Sequence, residues 1–119
     1  MESILKSKLI GEQLSSVTFV QDYLQLHFDG KTFTIYIWPA VKIDDTLFHF
    51  GEQDYRNALC SLIAHKVTDL LLIEEETLVI FFENTNKTIH LNLNPNNSEI
   101  VAEIAFFHDD LDSTWLCFQ

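Results

Sequence analysis

Five histidines and two cysteines are the residues of this 119-residue chain with the most versatile chemistry. Cys60 follows Arg56 by one turn of a predicted helix, and a nearby guanidinium can stabilise a nucleophilic thiolate. The alternative is a buried structural thiol, which the apolar neighbours of Cys60 favour. The sequence contains no GxSxG, HExxH or CxxC motif, and its three glycines form no phosphate-binding loop. We therefore expect a protein that is not an enzyme.

Runs of carboxylates are the next candidates for chemistry. Asp109-Asp110-Leu111-Asp112 resembles a calcium loop, but it lacks the turn glycine and distal glutamate of an EF-hand, so we expect no metal and no cofactor. Glu74-Glu75-Glu76 follows a predicted strand and forms either a solvated loop or a surface for the lysines and arginines of a partner. Asp44-Asp45 offers a second such surface.

The whole chain is acidic, with 18 Asp and Glu against 7 Lys and Arg and a formal charge of −11. So few cations cannot form a basic patch, which argues against direct binding to nucleic acid. Anionic membranes are disfavoured as partners for the same reason. This much negative charge would steer a basic protein towards the chain, although acidity can also serve solubility alone.

The first ten residues, MESILKSKLI, hold two lysines where a signal peptide needs an apolar stretch, so we expect no signal peptide. No run of about 18 apolar residues occurs, and no membrane span is predicted. We expect a cytoplasmic protein in which Cys60 and Cys117 are reduced, buried thiols.

Period-two alternation predicts strands in the first third of the chain. Leu24, Leu26 and Phe28 alternate with polar residues before the Asp29-Gly30 turn, and a second alternating run follows it up to Ile37. Residues 16–20 supply a third strand, and proline at position 39 ends this meander because it donates no ladder hydrogen bond.

The nominally polar face of these strands carries an aromatic row of Tyr23, Tyr36 and Trp38, with His27 beside it. Aromatic side chains at such positions either lie beneath another element or form a binding surface. Both interpretations remain open from the sequence.

A helix is predicted from about Glu52 to Ala64, where apolar residues recur at helical spacing. Residues 62–95 then match residues 9–39 in outline, although amphipathic strands can also resemble one another by chance. We predict a single domain, residues 1–119, of the α+β class and mainly antiparallel β. Two three-stranded meander repeats are linked by the helix, which packs across the sheet. The strand Leu78–Phe82, apolar on both faces, is predicted to be central.

The last quarter of the chain admits two interpretations. Residues 97–99 resemble a helix N-terminus, with Ile100, Val101, Ile104 and Ala105 on one face. Residues 104–107 and 115–118 could instead pair around the polar turn at 109–113. We expect a short helical turn followed by a C-terminal hairpin, and seven or eight strands in all.

Trp38-Pro39-Ala40-Val41 at the end of a meander, followed by a helix with Tyr55-Arg56 and Leu59-Cys60, is similar to a group of small uncharacterised bacterial proteins. In size, acidity and expected compartment the chain also resembles immunity proteins of polymorphic and contact-dependent toxin systems. These immunity families share no common motif, so the resemblance assigns no residue roles.

The acidity and the resemblance together suggest an immunity-type inhibitor that neutralises a basic toxin, such as a nuclease, by covering its cationic surface. The alternative is a self-associating structural or adaptor domain that uses the aromatic strand face; the oligomeric state is left open. The candidate partner-binding residues are Asp44, Asp45, Glu74, Glu75, Glu76, Asp109, Asp110, Asp112, Tyr36 and Trp38.

Overall fold

The computed structural model describes residues 1–83, 85–94 and 103–118, which contain two helices and ten strands. All strand pairings are antiparallel, so the predicted fold class is confirmed. The helices are α1 (Glu2–Leu9) and α2 (Tyr55–Cys60). The strands are β1 (Ser16–Val20), β2 (Tyr23–His27), β3 (Lys31–Ile35), β4 (Ala40–Ile43), β5 (Thr46–Phe48), β6 (Val67–Ile73), β7 (Thr77–Phe82), β8 (Lys87–Asn92), β9 (Ala105–Asp109) and β10 (Thr114–Phe118).

The strands form two five-stranded sheets. Sheet 1 has the order β1-β2-β3-β9-β10, and sheet 2 has the order β5-β4-β8-β7-β6. The period of two along each strand directs Leu26 and Phe33 of sheet 1, and Ile80 and Ile89 of sheet 2, into one hydrophobic core. Burying each such side chain contributes about 1.5–3 kcal/mol, so this shared core holds the two sheets together.

The two halves of the chain exchange strands. The first half runs α1, the meander β1–β3 and the hairpin β4–β5, and the second runs α2, the meander β6–β8 and the hairpin β9–β10. The first hairpin pairs with the second meander, with Val41 opposite Ile89. The second hairpin pairs with the first meander, with Phe107 opposite Phe33. Each sheet therefore requires strands from both halves.

The helices also cross to the other half. Helix α1 packs against β6, and α2 packs against β1 and β4. On the open edge of β6, the backbone N–H of Leu72 donates to the Glu2 carboxylate at 2.8 Å. This contact satisfies an edge group that would otherwise be available to another strand.

One segment leads from α1 into β1, and another leads from α2 into β6. These two segments cross as a short antiparallel ladder. Gln13 lies opposite Lys66 at the centre of this ladder. Gly11 and Ala64 occupy corresponding positions and both have positive φ, +88° and +78°, a conformation that is strained for alanine. Four backbone hydrogen bonds of 2.7–3.0 Å close the crossing: Gly11 N–H to Val67, Ala64 N–H to Leu14, Val67 N–H to Glu12, and Leu14 N–H to His65.

Three details of the sequence-based prediction were wrong. Helix α2 spans Tyr55–Cys60 and is shorter than the predicted 52–64, because the chain turns at 61–64 towards the crossing. The β4–β5 hairpin, which was not predicted, begins directly after Pro39, a position that proline tolerates at the start of a strand. Strand β7 is an interior strand, between β8 and β6, but the middle strand of sheet 2 is β8, and Phe81 is 37% exposed on the outer face of β7.

Helix α1 was likewise not predicted, and the described strands exceed the expected number. The predicted C-terminal hairpin is confirmed as β9–β10. Ala105, which was placed on a helical face, instead begins β9. The remaining part of the predicted helical turn, residues 97–101, lies outside the described residues, as does Pro95 at the end of the second predicted repeat.

We predict that two fragments, residues 1–51 and 52–119, reassemble into the native fold when mixed. Separately, each fragment leaves a meander edge unpaired and part of the shared core exposed, whereas together they rebuild both sheets. Circular dichroism and size-exclusion chromatography of the mixture should match those of the intact chain. Fragments that fold separately as monomers, or that regain no structure on mixing, would contradict the exchange.

Candidate functional site

Because neighbouring strands run antiparallel, the turns between them lie at two opposite ends of the molecule. At one end, the N–H of Tyr36 donates to Ile104 and that of Leu93 donates to Glu76. We call this the carboxylate end; it comprises residues 21–22, 36–40, 74–76 and 103–104. The opposite end, next to the crossing, is the lysine end; it comprises residues 29–30, 44–45, 85–86 and 110–113.

Most lysines lie on or near the lysine end. Lys31 begins β3, Lys66 lies in the crossing and Lys87 begins β8. Lys42 and Lys87 line the same groove as Asp44 and Asp45. The carboxylates at this end therefore have cationic neighbours from their own chain.

The carboxylates of the turn at 109–113 form ion pairs with side chains of the same chain. Asp109 is 2% exposed, with its Oδ2 2.9 Å from the Lys8 ammonium, and Asp112 pairs with the same ammonium. Asp110 Oδ1 lies 2.9 Å from His108 Nδ1. The hydrogen bond from Lys8 lowers the pKa of Asp112 from 3.8 to about 2, and it lowers the pKa of Asp109 as well. Asp109 is therefore not accessible to a partner.

Glu74, Glu75 and Glu76 form the β6–β7 turn at the carboxylate end. All three are exposed, and none forms an ion pair within the part of the chain that the structure describes. Asp22 and Glu103 are exposed at the same end. The eight acidic candidates thus do not form one surface. Glu74–Glu76 lie at the carboxylate end, and the other five occupy two turns at the lysine end.

A cleft of about 710 Å³ opens at the carboxylate end, where β3, β5 and β8 finish. Trp38 and Phe50 stack in its wall, with ring centroids 4.0 Å apart and planes 10° apart. Its principal polar and aromatic lining residues are Tyr36, Trp38, His49, Phe50, Glu76, His90 and Asn92.

Buried contacts hold the aromatic wall in place. The hydroxyl of Tyr55 donates to the carbonyl of Pro39, and its ring meets Phe50 edge to face with centroids 5.9 Å apart. Burial raises the pKa of Tyr55, so its hydroxyl stays protonated and remains a donor at neutral pH. Tyr55 therefore attaches the aromatic wall to the core. The sequence predicted only that this residue lies on a helix.

The polar groups of the cleft suit binding of a cation. His90 Nε2 lies 2.7 Å from Thr88 Oγ1, and burial, followed by the charge of Lys42, lowers the pKa of His90. His90 is consequently neutral at pH 7 and adds no positive charge. His49 Nδ1 lies 3.4 Å from Glu52 Oε1 on the rim. Aromatic rings, a carboxylate and a neutral imidazole together form a surface that attracts cations.

The aromatic row predicted on the strands has a different membership in the structure. Trp38 is not part of the row, because β3 ends at Ile35 and the alternation stops there. Its ring instead stacks on Phe50 in the cleft. Tyr23 and Tyr36 remain, with centroids 5.6 Å apart. His27 is hydrogen-bonded to Thr18 and Thr32 on the same face.

Strands β9 and β10 extend this row across sheet 1. Tyr36 meets Phe106 at 6.1 Å, and Phe106 stacks on Trp115 at 5.1 Å, measured between ring centroids. Trp115 is 58% exposed. Alternation in the C-terminal hairpin was the available signal for these two residues, but the position of β9 beside β3 depends on pairing across a long stretch of chain.

Both cysteines are exposed, so the expectation of buried thiols was wrong. Helix α2 buries Tyr55, Ala58 and Leu59, and Cys60 lies off that face at the end of the helix. The Arg56 guanidinium lies over the Phe19 ring, 5.8 Å from its centroid. It is thus part of the aromatic cluster that adjoins the cleft.

Replacing Lys8 with methionine should change the acid stability of the fold. The lowered pKa values of Asp109 and Asp112 stabilise the fold fully above about pH 4, and this stabilisation is lost as the pH falls towards about 2. Lys8→Met should therefore unfold at lower urea concentration at pH 7 and lose less stability than the native chain between these pH values. Lys6→Met is the matched control, because the pair Lys6–Asp69 is exposed. Equal pH profiles for the native chain and Lys8→Met would contradict the assignment.

Comparison with known protein families, with curated proteins and with solved structures finds no match to this chain. In the described residues, neither helix has the length and apolar character needed to cross a membrane.

Proposed function

We propose that this protein binds a cationic protein partner through its carboxylate end. The observation that carries the proposal is the separation of charge between the two ends. At and near the lysine end, Lys8 pairs with Asp109 and Asp112 and Lys31 pairs with Glu12, while Asp44 and Asp45 share a groove with Lys42 and Lys87. Glu74–Glu76 form no ion pair among the described residues and line no groove with a lysine there. Carboxylates without intramolecular partners produce a negative potential that speeds the encounter with a basic surface.

An immunity-type inhibitor of a basic toxin is the specific form of this function that we propose. A nuclease must hold a polyanion, so its active cleft is positively charged, and a small acidic protein can occupy that cleft. The acidity, the charge separation and an open cleft at the acidic end support this proposal.

Reversing charge at the carboxylate end should abolish capture of the partner. In Asp22→Lys/Glu74→Lys, both changed residues are exposed at this end and the cleft lining is unchanged. Asp45→Lys/Asp110→Lys makes the same change in charge at the lysine end and is the matched control. Each variant is used as bait in an extract of the native cells, with quantitative mass spectrometry of the captured proteins.

We expect one protein with a basic domain to be captured by the native chain and by the control, and to be lost with Asp22→Lys/Glu74→Lys. Its association rate with the native chain should fall about tenfold or more between low and physiological salt. Capture that is equal for both variants, or an association rate that does not depend on salt, would contradict the proposal.

A second candidate function, self-association through sheet 1, is favoured by the aromatic row of Tyr23, Tyr36, Phe106 and Trp115, in which Trp115 is exposed and the other three are half-buried. Large exposed aromatic side chains are common at the centres of protein interfaces. A dimer formed in this way should dissociate in Tyr23→Ala/Trp115→Ala but persist in Phe81→Ala, which truncates an exposed aromatic residue on sheet 2. Sedimentation equilibrium measures the difference, and a native chain that is monomeric at high concentration excludes this function.

A further inference from the structure

We infer that the cleft at the carboxylate end receives one arginine side chain of the partner. This inference rests on the proposed function and specifies the chemistry by which the partner is recognised. Three properties of the cleft carry it: the sign of its charge, the arrangement of its rings and the protonation of its histidine.

The charge of the cleft is negative. Glu76 is in its lining, and Glu74 and Glu75 belong to the same turn. No lysine or arginine is among the described residues that line the cleft. A guanidinium that enters it therefore meets a carboxylate in the lining, while Lys42 and Arg56 lie outside the lining.

The rings provide a flat apolar surface in the same cleft as that carboxylate. Phe50 is stacked on Trp38 and is 50% exposed, so a large part of its surface is open to a ligand. A planar guanidinium stacks on such rings and still donates two parallel hydrogen bonds to a carboxylate. The compact and strongly hydrated ammonium of lysine cannot make both contacts as well.

The same aromatic cluster already holds one guanidinium. Arg56 lies over Phe19, and the Phe19 ring is nearly parallel to Trp38 at a centroid distance of 6.4 Å. An arginine in the cleft would meet the same kind of ring surface at Phe50, with the advantage of the Glu76 carboxylate. The neutral state of His90 leaves its imidazole without a charge that would repel the ligand.

The probe for this inference is the capped peptide acetyl-Gly-Arg-Arg-Gly-amide, compared with versions that carry lysine or citrulline. Citrulline keeps the shape of arginine but has no charge. The chain has two tryptophans, so Trp115→Phe provides a folded background in which Trp38 alone reports by fluorescence and by its indole NMR signal. We expect the arginine peptide to shift the Trp38 signal with a Kd several-fold lower than that of the lysine peptide, and the citrulline peptide to cause no shift.

Two substitutions should weaken this binding or its preference for arginine without unfolding the chain. Glu76→Gln changes an exposed side chain and should raise the Kd of the arginine peptide about tenfold. Phe50→Leu keeps an apolar side chain but removes the ring, and it should reduce the preference for arginine over lysine. Asp45→Asn makes the same change in charge as Glu76→Gln at the other end, and it should leave the Kd within about twofold.

Equal weakening by Glu76→Gln and Asp45→Asn, or equal affinity for the arginine and lysine peptides, would overturn the inference. The outcome is separable from that of the proposed function. Loss of capture in Asp22→Lys/Glu74→Lys without a peptide effect on Trp38 refutes the arginine site and leaves the proposed function standing. A specific peptide effect together with capture that is unaffected by charge reversal supports the site and refutes the proposed function.

Discussion

The backbone crossing of residues 11–14 with residues 64–67 is the constraint on which the rest of the structure depends. It fixes the starts of β1 and β6 beside each other, and the same pattern of hydrogen bonds runs from each segment to the other. From that point each meander forms three strands of one sheet, while each helix and each hairpin packs against the other half of the chain. The core is consequently shared by both halves, and side chains from distant parts of the chain meet in it.

The positions of the charges follow from this topology. In an antiparallel sheet, successive turns lie at opposite ends, so the β6–β7 turn with Glu74–Glu76 lies at the far end of sheet 2 from the β4–β5 turn with Asp44–Asp45. The exchanged hairpin β9–β10 brings Asp109 back towards the crossing, within reach of Lys8 on α1. The topology thereby places the ion-paired carboxylates Asp109 and Asp112 at one end, and Glu74–Glu76, which form no ion pair among the described residues, at the other.

Much of the local structure could be predicted from the sequence, because it depends on neighbouring residues. The alternation around Asp29-Gly30 identifies β2 and β3, and the apolar runs around the turn at 109–113 identify the C-terminal hairpin. The pairing of β3 with β9 joins residues far apart in the chain, and no local pattern encodes such a partner. The cleft could not be predicted for this reason, since Trp38, Phe50, Glu76 and His90 come from four separate segments. Helix α1 could not be predicted from the sequence, because its two buried leucines, Leu5 and Leu9, are too few to establish a helical period.

The two ends of the molecule use charge in different ways. At the lysine end, ion pairs such as Lys8–Asp109 hold α1 to the β9–β10 turn and so help to secure the exchanged hairpin. At the carboxylate end, the like charges of Glu74–Glu76 repel one another and contribute nothing of this kind to folding, yet the aromatic wall beside them is anchored by Tyr55 and Pro39. A rigid wall lowers the entropic cost of receiving a ligand, and a cation bound there would relieve the repulsion. Under the proposed function, the like-charge repulsion among these carboxylates in the free protein would therefore favour formation of a complex with a cationic partner.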